Sequence, residues 1–209
     1  MFITFEGIEG SGKSTQIKLL AERLKSKGHQ VVVTREPGGT PIADQIRKIL
    51  LDAANKNLAP LCELLLYYAA RAQHVEEVIA PALKQNKIVL CDRFVDASVA
   101  YQGYARGLDL TFIEKLGQVA LKGIKIDLTF LFDLPVAVGL TRARGRASTL
   151  AKELREERFE NEETAFHEKV RQGYLTLARK EPKRFVVVDG ALGVEELAEK
   201  VWKVTRQKL

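Results

Sequence analysis

Sulfur and tryptophan are scarce in this 209-residue chain, which holds two cysteines, one methionine and one tryptophan. Two thiols without a Cys-x-x-Cys spacing exclude a disulfide scaffold and a thiolate metal centre, so Cys62 and Cys91, each inside an apolar pattern, read as buried free thiols. Six prolines and 15 glycines are too few for a collagen-like or low-complexity chain. No apolar run approaches the roughly 18 to 20 residues that span a bilayer, and Glu6 follows the N-terminus with no basic lead or apolar signal core. A cytoplasmic protein without a membrane partner is expected. His29, His74 and His167 are far apart, so no histidine metal centre is expected either. What the chain does have is 46% hydrophobic residues, enough for one compact domain over residues 1–209. It also carries 33 basic against 27 acidic residues, a net charge of +6. That balance suits a nucleic acid or a small polyanionic ligand, and position along the chain must separate the two.

Short β-branched runs alternate with longer helical patterns, which predicts an α/β fold around a parallel sheet. Five strands are expected, at Phe2 to Glu6, Gln30 to Thr34, Lys87 to Cys91, Asp127 to Phe132 and Arg184 to Val188. Helical spacing of three and four links Ile17, Leu20 and Leu24; Phe159, Phe166, Val170, Tyr174 and Leu177; and Leu197, Val201 and Val204. The longest pattern, about Ala59 to Leu83, presents Leu61, Leu65, Tyr68, Ala72, Val75 and Ile79, and a shorter one runs about Thr111 to Leu121. The segment from Arg142 to Arg158 has many arginines and little to bury, so it reads as a mobile cationic flap.

Directly after the first strand stands Gly7-Ile8-Glu9-Gly10-Ser11-Gly12-Lys13-Ser14, which fits Gly-x-x-x-x-Gly-Lys-Ser/Thr and opens a helix. Glycines let successive backbone N–H groups point inward, the helix N-terminus adds positive charge, Lys13 reaches the β and γ phosphates, and the Ser14 hydroxyl can bind magnesium. Gly7, Ile8, Glu9, Gly10, Ser11, Gly12, Lys13, Ser14 and Thr15 are therefore the expected ATP-binding set. The plainer reading is a glycine-rich turn with Ser14 or Thr15 capping the helix. A switch GTPase is excluded, because Asn55-Lys56-Asn57-Leu58 and Asn86-Lys87-Ile88-Val89 lack the aspartate of Asn-Lys-x-Asp and no aspartate begins Asp-x-x-Gly. A small three-layer P-loop kinase remains, with helices on both faces of its sheet. Its acceptor site should be a second set of phosphate-binding arginines at the carboxyl ends of the strands. Thr34-Arg35-Glu36-Pro37-Gly38-Gly39-Thr40, Asp92-Arg93-Phe94 and Arg71, four residues after Tyr67, supply such a set. Three arginines suit an acceptor phosphate, and the Tyr67 ring can stack on an attached base.

These segments, with Tyr67-Tyr68-Ala69-Ala70-Arg71 and Ser98-Val99-Ala100-Tyr101-Gln102-Gly103, resemble the thymidylate kinase family in order and spacing. The likeness covers nearly the whole chain, including Phe166-His167-Glu168-Lys169-Val170-Arg171-Gln172-Gly173-Tyr174. The resemblance implies phosphorylation of dTMP to dTDP by ATP with magnesium, by a homodimer that has no nucleic-acid partner. It further implies that Arg35, Arg71 and Arg93 hold the dTMP phosphate, Tyr67 stacks on thymine, Ser98 and Gln102 contact its polar edge, and Tyr101 crowds the place of a 2′-hydroxyl. Some members carry a catalytic arginine inside the phosphate loop. This loop has none, which implies that a flap arginine acts with Lys13 and magnesium, the candidates being Arg146, Arg155 and Arg158. By the same resemblance Arg142 stacks on adenine, opposite Asp189-Gly190-Ala191.

Asp92 either holds magnesium with Ser14, through water, or orients Arg93, and Glu36 can organise water or metal near the transferring group. Asp133, before Leu134-Pro135, reads as a helix start, and Glu9 has no assigned role. Two other classes stay open: a kinase for another acceptor, and a non-enzymatic P-loop module or basic nucleic-acid binder.

Overall fold

The structure, a computed structural model, describes residues 1–147, 158–159 and 162–209. Five strands form one sheet: β1 (Phe2–Glu6), β2 (Val31–Arg35), β3 (Ile88–Asp92), β4 (Leu128–Asp133) and β5 (Phe185–Asp189). Their order is β2-β3-β1-β4-β5 and every pairing is parallel. The expected strands are all present, with the last four displaced by about one residue toward the C-terminus. The register sets Phe5 beside Asp92 on one side and Phe130 on the other.

The pleat sorts β1 between two cores. Ile3 and Phe5 join Phe130, Phe132, Ile17, Leu20, Leu24, Leu197 and Val201 under α1 (Lys13–Ser26) and α9 (Val194–Arg206). Phe2, Thr4 and Glu6 face the other way. There Thr4 and Thr129, both fully buried, share a side-chain hydrogen bond of 2.8 Å across the sheet. The second face is covered by α3 (Pro60–His74), the short α5 (Val95–Ser98), α6 (Leu110–Leu121) and α8 (Thr164–Lys180), which gives the expected three-layer α/β architecture with helices on both faces of the sheet. Before α3, α2 (Pro41–Leu51) starts where Thr40 accepts from the N–H of Ala43 and Pro41 takes the first helical position. After α3 the helix runs on through a π-helical segment, Val75–Ile79, into α4 (Ala80–Lys84). A second π-helical segment, Val99–Ala105, continues α5. After β4 comes α7 (Val136–Ala147), whose Val136 and Leu140 join the core of the second face beside α8.

Four expectations change. Leu61 and Leu65 are exposed, and the stripe that α3 buries holds Glu63, Leu64, Tyr68, Arg71 and His74, because ion pairs and hydrogen bonds satisfy its polar members. Cys62 is consequently exposed, and only Cys91 is a buried thiol. Phe159 does not belong to the α8 stripe; it lies in a turn before that helix, with its ring beside Tyr67 and Tyr101. Arg142 and Arg144, expected in the flap, lie instead on α7, while residues 148–157 of that segment fall outside the described residues.

Candidate active site

Because all strands are parallel, the loops after β1, β2 and β3 converge at one edge of the sheet. The first is the glycine loop. A Cβ on Gly7 (φ 137°) would lie 2.5 Å from the Phe132 carbonyl oxygen, and one on Gly10 (φ 72°) would collide with the carbonyl of Gly139 on α7. Gly12 carries α1 away with no side-chain cap and no acidic residue in the first turn, leaving the positive end of the helix open to an anion. Ser14 does not cap; its Oγ donates to Asp92 Oδ2 at 2.8 Å, joining the loop to the end of β3. Thr15 is exposed beside it. Lys13 Nζ donates to the carbonyls of Gly7 (3.0 Å) and Ile8 (2.8 Å) and to Ser11 Oγ (3.2 Å). Burial and the nearby Arg93 push its pKa down to about 8.

A cleft opens beside this loop, and Arg35, Glu36, Tyr67, Arg71, Asp92, Arg93, Ser98, Tyr101 and Gln102 all line it. Sequence positions more than sixty apart thus meet, as the motif reading expects. Arg35 stands at the mouth, with its side chain 53% exposed and 3.2 Å from Asp44. Glu36 is buried and accepts from Arg71 Nε at 2.7 Å, while its Oε1 lies 3.0 Å from His74 Nδ1. Arg71 donates further to Ser98 Oγ and to the Phe94 carbonyl, both at 3.0 Å, and its guanidinium lies 4.6 Å from the Tyr68 ring centre. Burial by itself would lower the Arg71 pKa, but the charge and hydrogen bond of Glu36, together with Tyr68 and Glu6, raise it.

Arg93 occupies the left-handed region, φ 64°, which costs a non-glycine residue on the order of 1 kcal/mol or more. That turn brings its guanidinium to Glu9 Oε1 at 3.0 Å, to the Tyr174 hydroxyl at 3.3 Å and over the Tyr101 ring at 5.0 Å. Glu9 also accepts from the Tyr101 hydroxyl at 2.6 Å, and its Oε2 lies 3.3 Å from His167 Nδ1 without hydrogen-bond geometry. Burial by itself would raise the Glu9 pKa, yet Arg93, His167 and Tyr101 hold it well below the usual carboxylate range. Behind them, burial and the nearby Asp96 push the Glu6 pKa up to about 8; it accepts from the Phe94 N–H at 2.7 Å and the Tyr174 hydroxyl at 2.8 Å.

On the other side of the loop Arg142 Nη1 donates to the Gly190 carbonyl at 3.0 Å, so Arg142 and the turn after β5 do meet. Asp133 does not cap a helix: Arg171 binds both its oxygens, at 2.7 and 2.9 Å. Arg158 is buried, and its Nη1 donates to Glu63 at 2.7 Å. Arg155 and the side chain of Arg146 lie outside the described residues. Sequence reasoning missed Glu63, Arg47 and Phe159. Arg47 gives the cleft a further cation and ties down the β2 loop by donating to the Pro37 carbonyl at 2.7 Å, while Phe159 supplies an aromatic wall. Glu63 and Phe159 act through contacts between distant segments and Arg47 through the fold of a loop, none of which periodicity registers.

An open parallel sheet with a glycine loop on β1, an uncapped helix behind it and an arginine-lined cleft alongside defines a P-loop nucleoside monophosphate kinase. The family model for thymidylate kinase matches residues 5–201. The chain is 64% identical to the thymidylate kinase of Geotalea daltonii over 195 residues, covering 93% of this chain and 91% of that one. It is 59% identical to that of Citrifermentans bemidjiense over 208 residues, covering 100% and 92%. A crystal structure of thymidylate kinase from Ehrlichia chaffeensis superposes with a TM-score of 0.77 at 37% identity, over 98% of both chains. The chain belongs to the thymidylate kinase family.

Proposed function

We propose that this chain transfers the γ-phosphoryl group of ATP to dTMP, giving dTDP, by direct in-line displacement without a covalent enzyme intermediate. The observation that carries this reading is the contact of Arg93 with Glu9, which joins an arginine of the acceptor cleft to the phosphate loop at 3.0 Å. An acceptor phosphate held there lies next to the donor phosphates. Turnover that depends on added dTMP is the direct test.

Lys13 and the N–H groups of the first turn of α1 bind the donor phosphates and neutralise charge on the transferring group. Arg35 and Arg93 hold the acceptor phosphate from opposite sides of the cleft. Arg71 is tied to Glu36 and Ser98 at the deep end, which supports a place beside the base edge more than one on the phosphate. Tyr67 gives the base a ring to stack on, and Arg142 with Gly190 frames the adenine. Ser14 and Asp92 offer the paired hard oxygens that suit magnesium and would hold it; when bound, the ion supplies Lewis-acid neutralisation of the β and γ phosphates. Since Arg158 is committed to Glu63, support for the catalytic flap cation passes to Arg146 and Arg155. Changed singly to alanine, whichever acts there loses at least about a hundredfold in turnover.

The Tyr101 hydroxyl is fixed by Glu9 and its ring by Phe159 and Arg93, so it forms a stiff wall. Tyr101→Ala is expected to raise the activity with UMP relative to dUMP by about tenfold or more, measured as a ratio of kcat/KM; an unchanged ratio removes Tyr101 from sugar selection. A homodimer is supported by exposed apolar side chains on two adjoining helices, Leu61 and Leu65 on α3 and Phe112 and Val119 on α6. A cytoplasmic setting, with ATP and dTMP as the small-molecule substrates, completes the proposal; no helix among the described residues is long and apolar enough to cross a membrane.

A further inference from the structure

Glu63, on the first turn of α3, is fully buried although it carries a carboxylate. Its Oε1 accepts from Gln102 Nε2 at 2.8 Å. Its Oε2 accepts from Arg158 Nη1 at 2.7 Å and from Arg106 Nη2 at 3.3 Å. Arg106 is braced in turn by Glu162 at 2.5 Å and by the Phe166 ring at 4.5 Å. A carboxylate between two arginines only accepts hydrogen bonds, so the Gln102 amide must turn its NH₂ toward Glu63. The Gln102 carbonyl oxygen is then the end left for the cleft that the residue lines.

We propose that Glu63 is a positioning residue for base selection. It acts through Gln102, locking that amide so that the cleft offers a hydrogen-bond acceptor to the N3 edge of the pyrimidine. An imide N3–H, as in thymine or uracil, donates to this oxygen. Cytosine presents a lone pair at N3, which the oxygen repels. The inference rests on the reading of this cleft as the dTMP site and adds to it the group that sets the polarity of one wall.

Glu63→Gln makes a directional test. Arg106 and Arg158 can only donate, so the new amide must give them its oxygen and turn its NH₂ toward Gln102. Gln102 then flips to accept, and its own NH₂ enters the cleft. The ratio of kcat/KM for dTMP to that for dCMP is expected to fall about 10- to 100-fold, mainly through KM. The preference need not invert, because Arg71 still presents donors at the deep end. Glu63→Asp keeps an acceptor-only group and should hold the ratio within about threefold of the parent even where KM rises. In the unmodified protein, dTMP methylated at N3 should lose at least about a hundredfold in kcat/KM, which tests the contact at N3 on which the inference depends if Glu63→Gln does not fold.

An equal loss for dTMP and dCMP in Glu63→Gln marks a merely structural role and overturns the inference. So does a narrowed ratio in Glu63→Asp, or an N3-methylated acceptor used as well as dTMP. Those results leave the dTMP kinase reading of the unmodified protein standing. An unmodified protein that does not phosphorylate dTMP overturns the functional reading itself and this inference with it.

Discussion

Replacing Lys13 with alanine is expected to lower turnover by about a thousandfold or more while the protein stays folded. Lys13 is the cation that the glycine loop carries at its closed end, where it bonds to the carbonyls of Gly7 and Ile8. Charge in the phosphoryl-transfer transition state spreads over the equatorial oxygens, and a fixed cation in a site with little water stabilises it far more than one in solution. Burial already works against the ammonium, whose pKa lies at about 8, so bound phosphates improve its surroundings and removing it relieves the empty loop. Thermal unfolding should therefore change little. Steady-state kinetics at saturating ATP and dTMP check the effect, and turnover within about tenfold of the parent would show that the loop does not act as described.

Arg93→Ala is expected to weaken dTMP by about a hundredfold or more while ATP affinity shifts only a fewfold. A charge-assisted hydrogen bond contributes about 1.5 to 3 kcal/mol, and a guanidinium facing a phosphate makes more than one. Arg93 also pairs with Glu9, so its loss leaves a largely desolvated carboxylate, 15% exposed, without its main counter-ion next to the incoming phosphate. Both effects act on the acceptor. Titrations of dTMP and ATP separately, by calorimetry, distinguish this from a structural role: equal losses for the two nucleotides would assign Arg93 to holding the loop together.

The loop Gly7 to Ser14 was legible because its function depends on local backbone shape, and local shape demands particular residues at fixed spacing. The strands were legible because a parallel sheet covered on both faces leaves continuous apolar runs. Arg35, Arg71 and Arg93 were found because three cations at strand ends and one helix face have little to do in a plain core. The orientation of α3 was not legible. Its buried stripe contains Glu63 and Arg71, whose partners lie 39 and 35 residues away at Gln102 and Glu36, so an apolar count chose Leu61 and Leu65 instead. The left-handed turn at Arg93 carries no glycine to announce it. Phe159 sits at helical spacing from Phe166, yet it packs on Tyr101 across the cleft, at a ring distance of 5.3 Å.

The central claim is that the cleft beside the phosphate loop takes dTMP. A coupled assay of ADP release with ATP and magnesium tests it most directly, with dTMP, dUMP, dCMP, AMP, GMP, UMP and no acceptor in parallel and the products identified by chromatography. The account predicts strong turnover with dTMP, weaker turnover with dUMP, and little with the others. Preference for a purine or ribose monophosphate would contradict the roles given to Tyr67, Ser98 and Tyr101, and ATP binding without acceptor-dependent turnover would contradict the kinase assignment itself.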